Sequence, residues 1–181
     1  MSNGPSIEVL DPLVAQKIAA GEVVERPSGV LRELLDNSLD ASARSIEVHL
    51  VGGGTEELRV IDNGAGMGPD DLSRCYLPHA TSKISTLEDL THVRSLGFRG
   101  EALNAVASVS RLSIVSSAAD GHAHELRVDG GSLVSLDPTA APAGTVVTVR
   151  DLFYNVPARR EFLKRGSSES ASARAVFLDK A

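Results

Sequence analysis

The stretch RELLDNSLDA, residues 32–41, gathers polar side chains whose spacing could support chemistry. On a helix that turns about 100° per residue, one face carries Glu33, Asp36, Asn37 and Asp40, with no lysine or arginine among them. The oxygen of Asn37 could bind Mg²⁺, and Glu33, one turn away, could take a proton from water. This pairing fits a metal-bound triphosphate beside a positioned water. The plainer alternative is the solvated face of an amphipathic helix.

A second segment, VIDNGAGMG at residues 60–68, is typical of a strand that ends in Asp62 and continues into alternating glycines. Gly64, Gly66 and Gly68 leave no β-carbon between the backbone and a ligand. The carboxylate of Asp62 could accept a hydrogen bond from an exocyclic amine such as that of adenine. The alternative is a simple turn, which Asp-Asn-Gly favours. The spacing does not match the G-x-G-x-x-G fingerprint of dinucleotide-binding proteins.

A third segment, LGFRGEAL at residues 96–103, offers groups for an anion. Gly97 and Gly100 flank Arg99 just before an alanine-rich helix. Unpaired N–H groups at a helix start, next to a guanidinium, form an anion site. A glycine-rich loop with a charged tip is the alternative.

The segment HATSK, residues 79–83, adds the hydroxyls of Thr81 and Ser82 and the ammonium of Lys83 as possible phosphate contacts. By itself this signal is weak. The sequence contains no G-x-x-x-x-G-K-[ST] motif, so any nucleotide bound here is not held by a P-loop.

These segments need helices and strands to position them. The helix with Glu33 follows Pro27, which suits a first turn, and should end near Ala43, with Leu31, Leu34, Leu35 and Leu39 on its apolar side. A shorter helix over residues 13–20 should end at Gly21. Apolar alternation and turn residues predict strands at 45–51, 57–62, 111–117, 122–128, 132–136 and 144–150. Further helices are expected over 69–76, from Glu101, and in the tail at 167–181.

The order of these elements indicates an α+β two-layer fold, because helices and hairpins follow one another without regular β-α-β alternation. The chain has 181 residues, which suits a single domain over residues 1–181 with a sizeable core. Residues 63–100 are rich in glycine and polar residues, as is usual for functional or mobile segments.

The bulk composition excludes several classes of protein. No apolar run approaches a membrane span, and residues 1–12 lack the layout of a secretory signal. Cys75 is the only cysteine, which excludes an intrachain disulfide and favours an intracellular, reducing location. The formal net charge of -6 argues against tight non-specific nucleic-acid binding. The basic segment at 158–165 is interpreted as a solvated surface, with phosphate-backbone contact as the alternative.

Six blocks occur in the order in which MutL-type DNA mismatch-repair proteins carry them. They are IAAGEVVERP (18–27), RELLDNSLDA (32–41), DNGAGM (62–67), HATSK (79–83), LGFRGEALNAVASVSRL (96–112) and DLFYNVPARREFL (151–163). The chain therefore resembles that family over nearly its whole length. IAAGEVV and GFRGEAL also distinguish it from the gyrase B subunit, Hsp90-type chaperones and sensor histidine kinases. The resemblance implies their shared Bergerat ATP-binding fold, in which helices cover one face of a mixed, mostly antiparallel sheet.

The resemblance also implies roles for individual residues. Glu33 matches the catalytic glutamate that activates water, and Asn37 matches the asparagine that binds Mg²⁺. Asp62 matches the aspartate that reads adenine, with Gly64 and Gly66 shaping the base pocket. The other positions implied to bind ATP are Ala41, Met67, Thr81, Ser82, Lys83, Leu96, Gly97, Phe98, Arg99, Gly100, Glu101, Ala102, Leu103 and Thr145. A lid over the phosphates is implied at about residues 76–100.

The implied activity is Mg²⁺-dependent binding and slow hydrolysis of ATP, which close the lid and bring two such domains together. Residues 1–20 would reach across that dimer. The implied partners of the parent protein are a mismatch-recognition protein, other repair proteins and DNA, with weak DNA contact for this chain alone and a cytoplasmic, DNA-associated location. Two alternatives stay open. One is a non-catalytic nucleotide-sensing module, and the other is a related gyrase- or Hsp90-type ATPase domain.

The sequence departs from the family pattern in three respects. Asp36 stands where Glu is usual, and Ser42 stands where Gly often follows Asp-Ala; both are interpreted as tolerated variants. In the family, a second domain that brings a lysine to the γ-phosphate and a C-terminal dimerisation domain would lie beyond Ala181. Phosphoryl transfer depends on such positioned charges, so we expect this chain alone to bind Mg²⁺–nucleotide but to hydrolyse it poorly.

Overall fold

The computed structural model describes residue 9, residues 11–80 and residues 101–180, without the side chains of Leu13 and Gln16. The helices are α1 (Pro12–Val23), α2 (Pro27–Asp40), α3 (Pro69–Arg74), α4 (Ala102–Ser108), α5 (Pro157–Glu161) and α6 (Gly166–Lys180). The strands are β1 (Ile46–Val51), β2 (Glu57–Asp62), β3 (Arg111–Ser117), β4 (Ala123–Asp129), β5 (Ser132–Thr139) and β6 (Gly144–Arg150). A 3₁₀ turn at Gly52–Gly54 joins β1 to β2. The predicted bounds of β2, β3 and β6 are confirmed.

The six strands form one sheet in the order β1-β2-β6-β3-β4-β5. All five pairings between these strands are antiparallel, which confirms the mostly antiparallel sheet expected from the sequence. Side chains of residues opposite one another in register lie on the same face. Two buried apolar rows therefore cross the sheet, one of Leu58, Val149, Leu112 and Val128 and the next of Val60, Val147, Ile114 and Leu126.

Helices pack over this apolar face. Helices α2 and α4 contact the sheet, α1 packs against α4, and α6 packs against α2 and the Gly52–Gly54 turn. The predicted apolar positions Leu31, Leu34 and Leu35 of α2 are buried in the core. The two-layer α+β arrangement is thus confirmed. None of the described helices combines the length and the apolar character that a membrane span requires.

The polar face of α2 is narrower than the sequence predicted. Asp36 is 5% exposed and accepts a hydrogen bond from Lys180 Nζ at 2.5 Å. It lies beneath α6 and not on the open face with Glu33 and Asn37. Leu39, expected on the buried side, is 38% exposed. Helical periodicity could not reveal this, because the cover over Asp36 comes from a helix at the far end of the chain.

Helix α1 does not end at Gly21, as the sequence predicted, but continues to Val23. A β-carbon at Gly21 would lie 2.9 Å from Nε and from Nη2 of Arg159. The glycine therefore gives the guanidinium of Arg159 room to lie against the helix. The other cations of the 158–165 segment, Arg160, Lys164 and Arg165, are exposed.

A charged cluster fixes the segment that leads to α5. Arg111 donates a hydrogen bond to Asp151 at 2.6 Å, and its Cζ lies 4.5 Å from the centroid of the Tyr154 ring. Tyr154 in turn donates a hydrogen bond to Asp129. The hydrogen bond to Asp151 raises the pKa of Arg111, and burial raises the pKa of Tyr154. Arg111 therefore stays charged and ties this segment to β3 and β4.

Candidate functional site

Two hydrogen bonds hold the carboxylate of Asp62 at the end of β2. Ser38 Oγ, on α2, donates to Oδ2 at 2.8 Å, and the Gly64 N–H donates to Oδ1 at 2.8 Å. Ser38 is buried, whereas Asp62 is half-buried. A carboxylate has about four acceptor sites, so Asp62 can still accept a hydrogen bond from a ligand.

The loop after Asp62 lies tightly between two backbone segments. A β-carbon on Gly64 would lie 2.8 Å from Cβ and from O of Ala41, and one on Gly66 would lie 2.0 Å from O of Ser117. Gly66 also has a φ of +68°, which favours glycine. The alternating glycines let this loop pass between the end of α2 and the end of β3. The segment is not a hairpin turn, because β2 continues through this loop into α3.

A third, polar row crosses the sheet beyond the two apolar rows. Asp62 of β2 lies opposite Thr145 of β6, and Thr145 lies opposite Ser116 of β3. Thr145 Oγ1 is 2.9 Å from Ser116 Oγ. Gly144 permits this approach, because it has a φ of +122° and a β-carbon there would lie 2.1 Å from O of Asp62. The structure thus brings Asp62 and Thr145 together, and it adds Ser116, which the sequence analysis missed.

The two residues with the proposed phosphate chemistry lie on the same helix as Ser38. Glu33, Asn37 and Ala41 follow one another at intervals of four residues, so they lie along one side of α2. Glu33 and Asn37 are half-buried, and both interact with other groups of the protein. Ala41 contacts the Gly64 loop, and the helical rise puts the backbone of Glu33 about 12 Å farther along the axis. A ligand along this side of α2 would meet Asp62 at one end and Glu33 at the other.

The predicted anion-binding positions fall mostly outside the described residues. These are Thr81, Ser82, Lys83, Leu96, Gly97, Phe98, Arg99 and Gly100. Glu101, Ala102 and Leu103 are described and half-buried at the start of α4. The next residue, Asn104, donates from Nδ2 to O of Tyr76 at 2.9 Å. The start of α4 therefore lies close to the residues that follow α3.

The donor set along α2 fits a cation that takes few protein ligands. Among the residues described, no group of three or more His, Cys, Asp and Glu side chains is placed to hold a metal. A cation at Asn37 would take most of its ligands from phosphate oxygens and water, which is how Mg²⁺ is usually held.

Burial raises the pKa of the Cys75 thiol to about 12. Cys75 therefore stays a neutral thiol near pH 7.

Comparison with known proteins identifies the family. Residues 25–134 match the family described as histidine kinase-, DNA gyrase B-, and HSP90-like ATPases. The chain belongs to this family. The matched range holds α2, the Asp62 loop and Ser116, so most of the site lies inside the part that defines this ATPase family.

Within this ATPase family the chain is similar to MutL proteins. It is 54% identical to the DNA mismatch repair protein MutL of Pseudomonas entomophila over 171 residues, which cover 93% of this chain and 27% of that protein. For MutL of Syntrophobacter fumaroxidans the identity is 52% over 166 residues, which cover 91% of this chain and 25% of the relative. The chain thus spans about a quarter of the length of these relatives. The resemblance to MutL-type proteins is confirmed.

A solved structure agrees with the fold. The Aquifex aeolicus MutL ATPase domain complexed with ADP matches with a TM-score of 0.70 and 32% identity, over 86% of this chain and 54% of that one. The Bergerat-type fold expected from the sequence is therefore confirmed for this member of the ATPase family.

Proposed function

We propose that this chain is the ATP-binding domain of a DNA mismatch-repair ATPase. One observation carries the proposal. One side of α2 carries Glu33 and Asn37 and leads to Ala41, just past the end of the helix. This line of residues begins beside Asp62, whose carboxylate accepts a hydrogen bond from Ser38. Membership of the ATPase family and the similarity to MutL proteins support the same conclusion.

The base of ATP would bind at the polar end of the sheet. The exocyclic amine of adenine donates a hydrogen bond, and Asp62 is an acceptor already oriented by Ser38 and Gly64. Thr145 lies beside it in the next strand. Because Gly64 and Gly66 have no β-carbon, the loop packs closely beside the Asp62 carboxylate, which stays half-buried.

The triphosphate would extend along α2 toward Glu33. The side-chain oxygen of Asn37 would hold Mg²⁺, which neutralises phosphate charge when it is bound. Glu33 would orient a water molecule and accept its proton as the water oxygen bonds to the terminal phosphorus. The bond from that phosphorus to the bridging oxygen would break in the same step, so that ADP leaves and inorganic phosphate is formed. Glu33 and Asn37 are half-buried, so the carboxylate is reachable by ligand yet partly shielded from bulk water. Residues 81–83 and 96–100 would contact the phosphates.

In a longer protein that contains this chain, ATP binding would bring two such domains together. The pair would coordinate a mismatch-recognition protein, other repair proteins and DNA inside the cell. Hydrolysis would be slow, because phosphoryl transfer depends on precisely positioned charges around the phosphates.

Replacing Glu33 with alanine tests the proposed activity. In a protein of the relatives' full length, Glu33→Ala should reduce ATP hydrolysis by about 100-fold or more and leave the affinity for Mg²⁺–nucleotide within about twofold of the wild type. Glu161→Ala, which removes an exposed carboxylate from α5, is the control and should retain full turnover. Undiminished hydrolysis by Glu33→Ala would contradict the assignment. Binding without any turnover in the wild type would favour the nucleotide-sensing alternative.

A further inference from the structure

A cleft of about 300 Å³ opens at the start of α2. It lies between the end of α1, the first turns of α2 and α6, from which Val176 contributes an apolar wall. Ser28 and Arg32, four residues apart, share the side of α2 that faces this cleft. Asn37 lies on the opposite side of the helix and about 13 Å farther along its axis. The cleft is therefore separate from the proposed nucleotide site.

Ser28 brings two unpaired donors to this cleft. The residue is 8% exposed, yet within the described part of the chain neither its hydroxyl nor its backbone N–H has a hydrogen-bond partner. The first N–H groups of a helix have no acceptor inside the helix, and Arg26, the N-cap residue, supplies no side-chain cap. Buried polar groups are normally hydrogen-bonded. Both donors of Ser28 are thus available to a ligand in the cleft.

The side chain of Arg26 adds a positive charge beside these donors. Arg26 lines the cleft and is half-buried, and it has no carboxylate partner among the residues described. Arg32 is different, because it is exposed and lies 3.7 Å from Asp179. A β-carbon at Gly29 would meet no atom within 4 Å, so the space over the helix start is open. A guanidinium next to unpaired N–H groups at the start of a 14-residue helix suits an oxyanion.

The rim of the cleft carries the opposite charge. Glu22 and Glu25 line it, and both are exposed. These carboxylates repel a free dianion and a nucleic-acid strand, and they attract an amine. The volume lies at the lower end of the range for small-molecule sites. The layout therefore fits a small molecule whose oxyanion and amine are a few bonds apart.

We propose that this cleft binds a small zwitterion. Its carboxylate or phosphate group accepts hydrogen bonds from Ser28 and Arg26 at the start of α2. Its amine lies against Glu22 and Glu25. The inference stands apart from the proposed ATPase activity, because other residues line the cleft.

Titration of the chain followed by nuclear magnetic resonance tests the proposal with defined probes. β-Alanine and phosphoethanolamine should shift the amide signals of Ser28 and Gly29 at millimolar concentration, and the tighter of the two shows which oxyanion is preferred. Inorganic phosphate lacks the amine and should bind about fivefold more weakly than phosphoethanolamine. Ethanolamine lacks the oxyanion and should bind at least about tenfold more weakly. Because the signals belong to residues of the cleft, binding elsewhere on the chain is not mistaken for it.

Substitutions at the start of α2 test the oxyanion contacts. Arg26→Gln should weaken both zwitterions by about tenfold, and Ser28→Ala by about fivefold. The matched control is Arg74→Gln, which removes an exposed arginine from α3 and should bind like the wild type. Equal binding by Arg26→Gln and Arg74→Gln would overturn the inference, as would unchanged Ser28 and Gly29 signals with both zwitterions.

Neutralising the rim gives a test with two opposite signs. In the double variant Glu22→Gln, Glu25→Gln, inorganic phosphate should bind about threefold more tightly and β-alanine about threefold more weakly. Both glutamates are exposed, so this variant should fold even if Arg26→Gln does not. Changes of the same sign for the two probes would overturn the assignment of a zwitterion.

Discussion

Ser38 Oγ donates a 2.8 Å hydrogen bond to Oδ2 of Asp62 and so joins α2 to the end of β2. The helix with Glu33 and Asn37 and the glycine loop looked like separate candidate sites in the sequence. The bond brings the two segments together, because Ser38 follows Asn37 directly along the helix and touches the carboxylate proposed to read the base.

Replacing Ser38 with alanine should weaken nucleotide binding. The substitution removes the donor that orients Asp62, so we expect a loss of about tenfold in affinity and about 1 kcal/mol in the free energy of unfolding. Ser73→Ala is the matched control, because its hydroxyl donates only to O of Asp70 on the exposed side of α3. Calorimetry and urea unfolding give the two quantities. Equal affinities for Ser38→Ala and Ser73→Ala would count against the link between α2 and Asp62.

Replacing Gly66 with alanine should disrupt the base pocket. The new β-carbon would lie 2.0 Å from O of Ser117 at a φ of +68°, so the loop would have to move, at a cost of at least about 1–3 kcal/mol. Nucleotide affinity should fall by about 100-fold. Gly68→Ala is the control, since its φ is −74° and no atom lies within 4 Å of its β-carbon. If both variants bind nucleotide alike, the loop does not form the pocket.

Replacing Ser42 with glycine should stabilise the protein. Ser42 has a φ of +60° directly after α2, where its N–H bonds O of Leu39 and the Ala43 N–H bonds O of Ser38. This is the helix-ending geometry that favours glycine. Glycine would relieve about 1–2 kcal/mol of backbone strain and lose about 0.5–1 kcal/mol through its greater chain entropy, so the family's glycine should gain about 0.5–1 kcal/mol. The serine is thus a tolerated variant that carries a cost. Ser42→Ala removes the hydroxyl without relieving φ and should not stabilise; equal melting temperatures of the glycine and alanine variants would refute the explanation.

Breaking the ion pair between Lys180 and Asp36 should destabilise the packing of α6 on α2. The two side chains are 17% and 7% exposed, and removal of one partner leaves a largely buried charge. Lys180→Met should therefore cost about 2–3 kcal/mol of unfolding free energy. Asp179→Asn breaks the neighbouring pair with Arg32, which spans 3.7 Å and is exposed, and should cost at most about 0.5 kcal/mol. Urea unfolding distinguishes the two, and similar midpoints would contradict the buried role.

The local sequence pattern predicted those features that depend only on residues close together in the chain. The bounds of β2 and β6 follow from apolar alternation that ends in Asp62 and begins after Gly144, and the structure confirms them. The apolar side of α2 likewise follows from helical spacing. The resemblance to a known family supplied Thr145, which no local signal singled out.

The remaining features depend on contacts between distant segments. Gly21 looked like a helix end because glycine often is one, but the Arg159 side chain packs there. Asp36 looked open because its cover, Lys180, lies 144 residues away. Ser116 was one serine among several, and only the strand register beside Thr145 reveals its position.

The most direct test of the account is calorimetric titration of the chain with Mg²⁺ and a non-hydrolysable ATP analogue, for the wild type, Asp62→Asn and Asp137→Asn. Asp137→Asn makes the same change at an exposed position of β5 and serves as the control. The account predicts one site in the wild type and in Asp137→Asn, and an affinity at least about 100-fold lower in Asp62→Asn, because the amide places a donor against the adenine amine. No binding by the wild type, or equal affinity in Asp62→Asn, would contradict the central claim that α2 and the polar row of the sheet form an ATP site.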